Sequence, residues 1–376
     1  MKEYLPGLNT IRLYAALSVV IGHISGVSVI GVVPPYVFTE NLDSRLFPLI
    51  LSGYEAVSLF FVLSGFLITY ILLKEKRDTA TIAVKRFYIR RALRIQPLYI
   101  LIVLLVLAIA VIPKPNTVGL VSLALMSPHM AALLGGSIEG GTGHLWSIGV
   151  EEWFYFALPP LMKRINVPLL AGVVILLRFM MALLIPDLML NISSTSALLN
   201  LLHALKFESM AIGALGAWLF LHRHWLLRWI YHLEIPALVL MVIIILVDWP
   251  RGFFFNFIMS FVFIVFVLNA STNPKRILNL EHRWLSALGN VSYGIYMYHP
   301  VVLFILAAVF VQLGLHGTYA DIALYAGVVV LSIAVALASY RLFESRFLRS
   351  SPFPKNKTLA ARLPDQAMTK IQADQQ

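Results

Sequence analysis

Residues 9–26 read NTIRLYAALSVVIGHISG, an almost wholly apolar run that nevertheless carries Arg12 and His23. A run of this length suits a membrane-spanning helix, where a cation and an imidazole are expensive to bury without partners or a function. In an α-helix eleven residues turn through about 1100°, which leaves Arg12 and His23 within about 20° of one face and about 16 Å apart along the axis. Two readings stay open at this point. One is a snorkelling Arg with a packed His, and the other is a cationic mouth leading to a buried base.

The rest of the chain extends the first run. Of 376 residues, 60% are hydrophobic and only 12% are charged, against about half and about a quarter in soluble domains. Eleven apolar segments can be drawn, at 9–31, 50–73, 97–112, 117–134, 146–162, 167–186, 200–221, 235–249, 253–270, 286–313 and 319–343. Residues 1–30 show no small-residue cleavage site of a removable signal. The absence of cysteine excludes disulfides, thiol catalysis and thiolate metal sites; no metal is expected. The net charge of +11 is read as the basic loops of a polytopic protein, not as nucleic-acid binding.

Charge placement sets the expected topology. The loop KEKRDTATIAVKRFYIRRALR, residues 74–94, holds eight Lys or Arg and is assigned to the cytoplasm with the N-terminus. If segment 117–134 dips in without crossing, Lys163-Arg164, HRHWLLR at 222–228, the 273–283 cluster and the C-terminal basic residues all fall on the same side. Its Pro- and Gly-broken surroundings suit a segment buried among other helices. The expected fold is therefore all-α, a polytopic integral membrane protein of about ten transmembrane helices plus a re-entrant segment, with both termini cytoplasmic. Residues 1–350 are expected to form one transmembrane domain, and 351–376 a polar, disordered tail.

Further polar residues lie at membrane depth. In GHLWSIGVEEWFYFALPP, His144 and Trp146 stand at the entrance of a span and Glu151 and Glu152 lie one to two turns further in. Two adjacent carboxylates cannot both face lipid. In ALGNVSYGIYMYHPVVLF, Ser292, Tyr296 and His299 follow helical spacing with Tyr293 beside them, and Pro300 frees a backbone carbonyl. Counting inward puts His299 roughly 20 Å deep, level with His23. Arg90, Arg91 and Arg94 in RFYIRRALRIQPLY satisfy topology, yet Arg in place of Lys also suits fork-like phosphate recognition. Lys206 and Glu208 are expected to pair with each other, and Arg178, Asp187 and Asp248 to be interfacial.

Taken in order, these motifs resemble the acyltransferase 3 family of integral-membrane acyltransferases over about residues 5–345. The matching features are the Arg12–His23 spacing, FFVLSGFLI at 60–68, RFYIRRALRIQPLY, LWSIGVEEWFY at 145–155, VSYGIYMYHP at 291–300 and YRLFE at 340–344. Ser58 and Trp153 depart from the Asp and Gln that many members carry. The resemblance implies a multi-pass protein of the bacterial inner membrane that transfers an acyl group, usually acetyl, from cytoplasmic acyl-CoA to a hydroxyl of a glycan, lipid-linked sugar or secreted metabolite. It also implies that Arg12 and His23 are the catalytic pair and that Arg90, Arg91 and Arg94 are the loop arginines. Many relatives add an extracytoplasmic domain; this chain is expected to be too short for one, which implies direct transfer or a partner protein.

On that reading Arg90, Arg91, Arg94 and Arg12 bind the phosphates of acyl-CoA, and the pantetheine arm runs along the first helix to His23, a general base or a transient acyl-imidazole. Glu151 orients or charge-stabilises His23, His299 or Tyr296 contacts the acyl oxygen or acceptor, and His144, Trp146, Glu152, Tyr293 and Tyr296 line the acceptor site. A proton-coupled transporter using the same His, Glu and Arg residues is the alternative, although the inverted repeats common in transporters are not visible. A membrane scaffold or receptor would leave the buried ionisable residues unused.

Overall fold

The computed structural model describes residues 5–25, 50–110, 112, 114–136, 138, 140–188, 205–222, 224–246 and 253–350. The tail expected at 351–376, the end of the first segment at 26–31, Asp248 and the side chain of Asp187 lie outside the described residues.

Among the described residues the structure is helical throughout. The chain runs through α1 (Leu8–Ser25), α2 (Gly53–Thr79), α3 (Val84–Ala108), α4 (Thr117–Ala124), α5 (Trp146–Arg164), α6 (Val167–Leu188), α7 (Phe207–His222), α8 (His224–His232) and α9 (Glu234–Leu246). It continues through α10 (Phe253–Thr272), α11 (Arg283–Asn290), α12 (Ser292–Gln312), α13 (Thr318–Ser339), a π turn at Tyr340–Glu344 and α14 (Ser345–Arg349). Lipid offers backbone groups no hydrogen bonds, so uninterrupted apolar sequence closes its bonds internally as helix.

Six helices are long and apolar enough to cross a membrane: α2, α3, α6, α10, α12 and the continuous Thr318–Arg349 run. A seventh arises if α8 and α9, bent by 47° at their junction, form one broken span. Helices α1 and α7 are apolar but shorter. The 117–134 segment becomes α4, capped by the Asn116 side chain accepting from the Gly119 N–H at 2.8 Å, followed by 3-10 turns at Pro128–Met130 and Ala132–Leu134. Eight residues of α4 rise only about 12 Å against a hydrocarbon core of about 30 Å. The 286–313 segment divides at Val291 into α11 and α12.

Small residues set the close approach of α2 and α7. A Cβ at Gly65 of α2 would strike the Met210 carbonyl, and one at Gly213 of α7 the Val62 carbonyl. Close backbone approach of this kind drives helix association where lipid supplies no hydrophobic force.

Two sequence expectations fail beside that contact. Lys206 and Glu208 do not hydrogen-bond to each other: Lys206 lies just before α7 at a positive φ, outside the helix that carries Glu208. The Lys206 ammonium instead donates to the Tyr54 carbonyl and the Ser58 hydroxyl, both at 2.9 Å, and lies over the Tyr54 ring. Glu208 accepts from Arg178 at 2.7 Å, with the two side chains 1% and 7% exposed. Arg178 is thus buried and not interfacial: it sits mid-way along α6, too deep to reach a membrane surface.

Candidate active site

The deepest polar contact joins α1 to α12. His23 Nδ1 lies 2.8 Å from His299 Nε2, with the two rings nearly coplanar at 7°. The expected common depth of the two histidines is therefore a direct contact. Local sequence explains the His299 orientation. Pro300 lacks the N–H that would bond the carbonyl four residues back, which is that of Tyr296, and His299 Nδ1 takes its place at 2.7 Å from Tyr296 O.

This arrangement assigns protons. A carbonyl only accepts, so His299 Nδ1 carries the hydrogen, and in a neutral ring His299 Nε2 is then the acceptor. His23 must donate from Nδ1, which leaves His23 Nε2 as a bare lone pair. The tautomers follow from the hydrogen-bond network. A proline thus fixes, through two imidazoles, the protonation of a residue on another helix.

A cavity of about 100 Å³ opens between α1, α2, α3, α5 and α12. Its polar lining includes Arg12, Ser64, Arg91, Arg94, Glu151 and Tyr293. Ser64 donates to Glu151 Oε1 at 2.5 Å, so the Tyr155 hydroxyl, 2.8 Å from Ser64 Oγ, is left to donate to Ser64. The Arg91 guanidinium lies 4.8 Å from the Tyr155 ring centroid, and Arg12 donates to Asn9 at 3.4 Å. Three guanidiniums face one carboxylate here, a balance that favours an anionic guest.

Tyr296 and Ser147 also line the cavity. The Tyr296 hydroxyl donates to the His144 carbonyl at 2.8 Å and is 2.6 Å from Ser147 Oγ, and its ring meets Phe60 edge-on. His23, His299 and His144 are not among the lining residues. The His144 ring centroid lies 5.3 Å from that of His299 and 5.4 Å from that of Tyr296, so the histidines cluster beyond Tyr296.

The sequence-derived site thus separates into two groups. Arg12, Arg91, Arg94, Glu151, Tyr293 and Tyr296 meet at the cavity; His23, His144 and His299 meet behind it. Arg90 is not in the lining. Trp146 packs edge-on against Phe61, and the Glu152 Oε1 is buried with no hydrogen-bond partner among the described residues.

Two assigned roles need correction. Glu151 does not orient His23, because its carboxylate is engaged with Ser64 and faces the arginines; His299 is the residue that holds His23. Nor is His299 free to contact an acyl oxygen, since both its ring nitrogens are occupied. Ser64 and Tyr155 escaped sequence reasoning. Ser64, a lone hydroxyl in the apolar FFVLSGFLI run, was the available signal. Among the described residues, no group of three or more His, Cys, Asp or Glu is placed to hold a metal ion.

Comparison with known proteins adds kinship to this geometry. O-acetyltransferase OatA of Staphylococcus aureus (strain MRSA252) is 24% identical over 399 aligned positions, covering 96% of this chain and 60% of the relative. OatA of strain NCTC 8325 / PS 47 is 24% identical over 91% of this chain and 57% of its own length. A Staphylococcus aureus (strain COL) protein provisionally named an O-acetyltransferase is 29% identical over 168 residues, covering 42% of this chain and 24% of that protein. The chain therefore spans less than two thirds of these relatives. No solved structure matches it. The acyltransferase domain family matches residues 5–341, which take in α1 to α13 with both residue groups of the site, and the chain belongs to that acyltransferase 3 family.

Proposed function

We propose that this protein transfers an acyl group, acetyl in the first instance, from acyl-CoA to a hydroxyl of a glycan, lipid-linked sugar or small secreted metabolite, with His23 as general base. The observation that carries the reading is the hydrogen-bond chain from His23 Nδ1 through His299 to Tyr296 O, which leaves the proton off His23 Nε2, next to a cavity lined by three arginines.

Acyl-CoA is the donor substrate whose chemistry fits this lining. Its phosphates suit the charge-assisted, fork-like bonds of Arg12, Arg91 and Arg94, while the narrow cavity accepts only the pantetheine arm. The thioester is delivered toward Tyr296, whose side chain separates the cavity from the histidines and must turn aside for the acyl group to pass. His23 Nε2 removes the acceptor hydroxyl's proton as that oxygen attacks the thioester carbon. The new C–O bond forms, the C–S bond breaks, and His23 returns the proton to the departing sulfur. His299 acts through His23, holding its ring and stabilising the imidazolium. Glu151, bonded to Ser64 between Arg12 and Arg91, keeps the arginines apart and aimed at the cavity.

The topology follows the same reading. The six long helices, the bent α8–α9 pair, and the shorter or more polar α1, α5 and α7 give ten crossings, with both termini in the cytoplasm, where acyl-CoA resides. An arrangement of this kind in the bacterial inner membrane moves acyl groups outward without CoA crossing lipid.

The test is chemical. Mass spectrometry of envelope glycans, lipids and secreted metabolites from cells with and without the gene should reveal one species lighter by an acyl mass in the deletion strain. Identical acylation in both strains rejects the reading.

A further inference from the structure

The His144 ring, unlike its carbonyl, takes no part in the side-chain hydrogen bonding around it, and its position is therefore informative. The side chain is 4% exposed, and both ring nitrogens lack a hydrogen-bond partner among the described residues. Burying an imidazole with neither nitrogen bonded is costly, and native structures rarely leave such a group without a reason. The side chains around it have none to offer: His299 uses both nitrogens, Tyr296 donates to the His144 carbonyl rather than its ring, and Ser147 Oγ also points to that carbonyl at 3.3 Å. Nevertheless the His144 ring stands edge-on to His299 at 5.3 Å, and His299 is the residue that holds the base.

The ring is also held in place. Its carbonyl is anchored by Tyr296 and Ser147, and the Gly140–Leu145 3-10 turn runs without a break into α5. A buried donor on an anchored backbone, with no side-chain partner for its proton, is preorganised for charge that arises only during reaction.

We propose that His144 is a catalytic residue that donates its ring N–H to the acyl carbonyl oxygen as the tetrahedral intermediate forms. The inference rests on the acyl-transfer reading above and gives that reaction its oxyanion donor. As the acceptor oxygen bonds to the thioester carbon, the carbonyl π electrons move onto oxygen. The His144 N–H takes up that charge without giving up its proton, and collapse of the oxyanion expels the CoA sulfur. A base and an oxyanion donor then face one carbonyl from two helices, α1 and the turn before α5, with His299 and Tyr296 fixing their separation.

Membrane vesicles from the source cells, holding their own acceptor, are supplied with radiolabelled acetyl-CoA, and variants are matched for folded protein by size-exclusion profile and melting temperature. His144→Leu should lower kcat by about 10²–10³-fold, the usual cost of one oxyanion donor, with KM for acetyl-CoA changed little. His144→Gln, which retains an N–H, should recover a substantial part of the loss. A second readout does not depend on turnover: the carbonyl stretch of bound ¹³C-acetyl-CoA, recorded in a His23→Gln background to stop reaction. It should lie at lower frequency when His144 is intact than when the His144→Leu change is added. Equal kcat in His144→Leu and wild type, with His23→Gln inactive, overturns the role of His144 alone. Activity in His23→Gln overturns the acyl-transfer reading itself. A loss in His144→Leu that Gln does not recover, with an unshifted carbonyl stretch, marks His144 as structural and also overturns the proposal.

Discussion

Replacing His299 by Phe keeps the ring volume in α12 but removes the acceptor for His23 Nδ1, 2.8 Å away. In the resting protein this is an ordinary hydrogen bond. As His23 takes the acceptor's proton it becomes cationic, and the same bond becomes charge-assisted, worth about 1.5–3 kcal/mol against about 1 kcal/mol for the neutral bond. Only the difference, about 0.5–2 kcal/mol, acts on the chemical step, so at 1.36 kcal/mol per tenfold in rate the expected fall in kcat is about 2- to 30-fold. A second loss adds to it: a His23 ring no longer held can adopt the other tautomer, which places its hydrogen on Nε2 and removes the base. KM for acyl-CoA should hardly move, since His299 does not line the cavity. His299→Gln, whose amide oxygen can reach the former Nε2 position, should lose less than Phe. The assay is acetyl transfer from radiolabelled acetyl-CoA in membranes, with melting temperature as the control for folding. Unchanged kcat in a well-folded His299→Phe protein would refute the tautomer argument.

Three further outcomes follow from other parts of the bundle. Arg91→Ala should raise KM for acetyl-CoA by about 10-fold or more, the worth of one charge-assisted bond, and Arg91→Lys should not fully restore it; Arg90→Ala, outside the cavity lining, should change KM less than threefold, and equal effects at both positions would contradict the cavity assignment. Arg178→Met should destabilise the protein by about 3–5 kcal/mol by leaving the Glu208 carboxylate buried and unpaired, whereas Arg178→Met with Glu208→Leu should recover most of it; thermal unfolding in detergent checks this, and a double variant no better than the single one argues against the pair. Gly213→Val places side-chain atoms against the Val62 carbonyl, so the yield of monodisperse protein should collapse while Gly172→Ala, which meets open space, is tolerated.

What the sequence made legible was whatever depends on one helix at a time. Apolar runs gave the helices, and the short, Pro- and Gly-broken 117–134 stretch stood out from them. The period of 3.6 put Arg12 and His23 on one face, and counting depth put His299 level with His23, where the structure finds them bonded. Partner choice across helices was not legible. Glu151 could have faced His23 or an arginine, and only the packing of α2 against α5 decides for Ser64 and the arginine side. Lys206 and Glu208 look like a pair in one dimension, but Lys206 precedes the helix and bonds Tyr54 and Ser58, and Glu208 finds Arg178 thirty positions earlier. Ser64 and Tyr155 carry no charge to mark them out in apolar text, so their bonding emerges only once α2 and α5 are docked. Pro300 was read as freeing a carbonyl; that the freed group is the one His299 uses required the rotamer.

The most direct test of the account lies with His23 itself. Wild type and His23→Gln, brought to equal levels in the membranes of the deletion strain, are compared for transfer of radiolabelled acetyl from acetyl-CoA into alkali-labile envelope ester. Binding of acetyl-CoA to each purified protein is measured in parallel. The account predicts that His23→Gln binds acetyl-CoA with near-normal affinity, because the arginine cavity is intact, and forms no labelled ester above background. Ester formation at the wild-type rate by His23→Gln would contradict it.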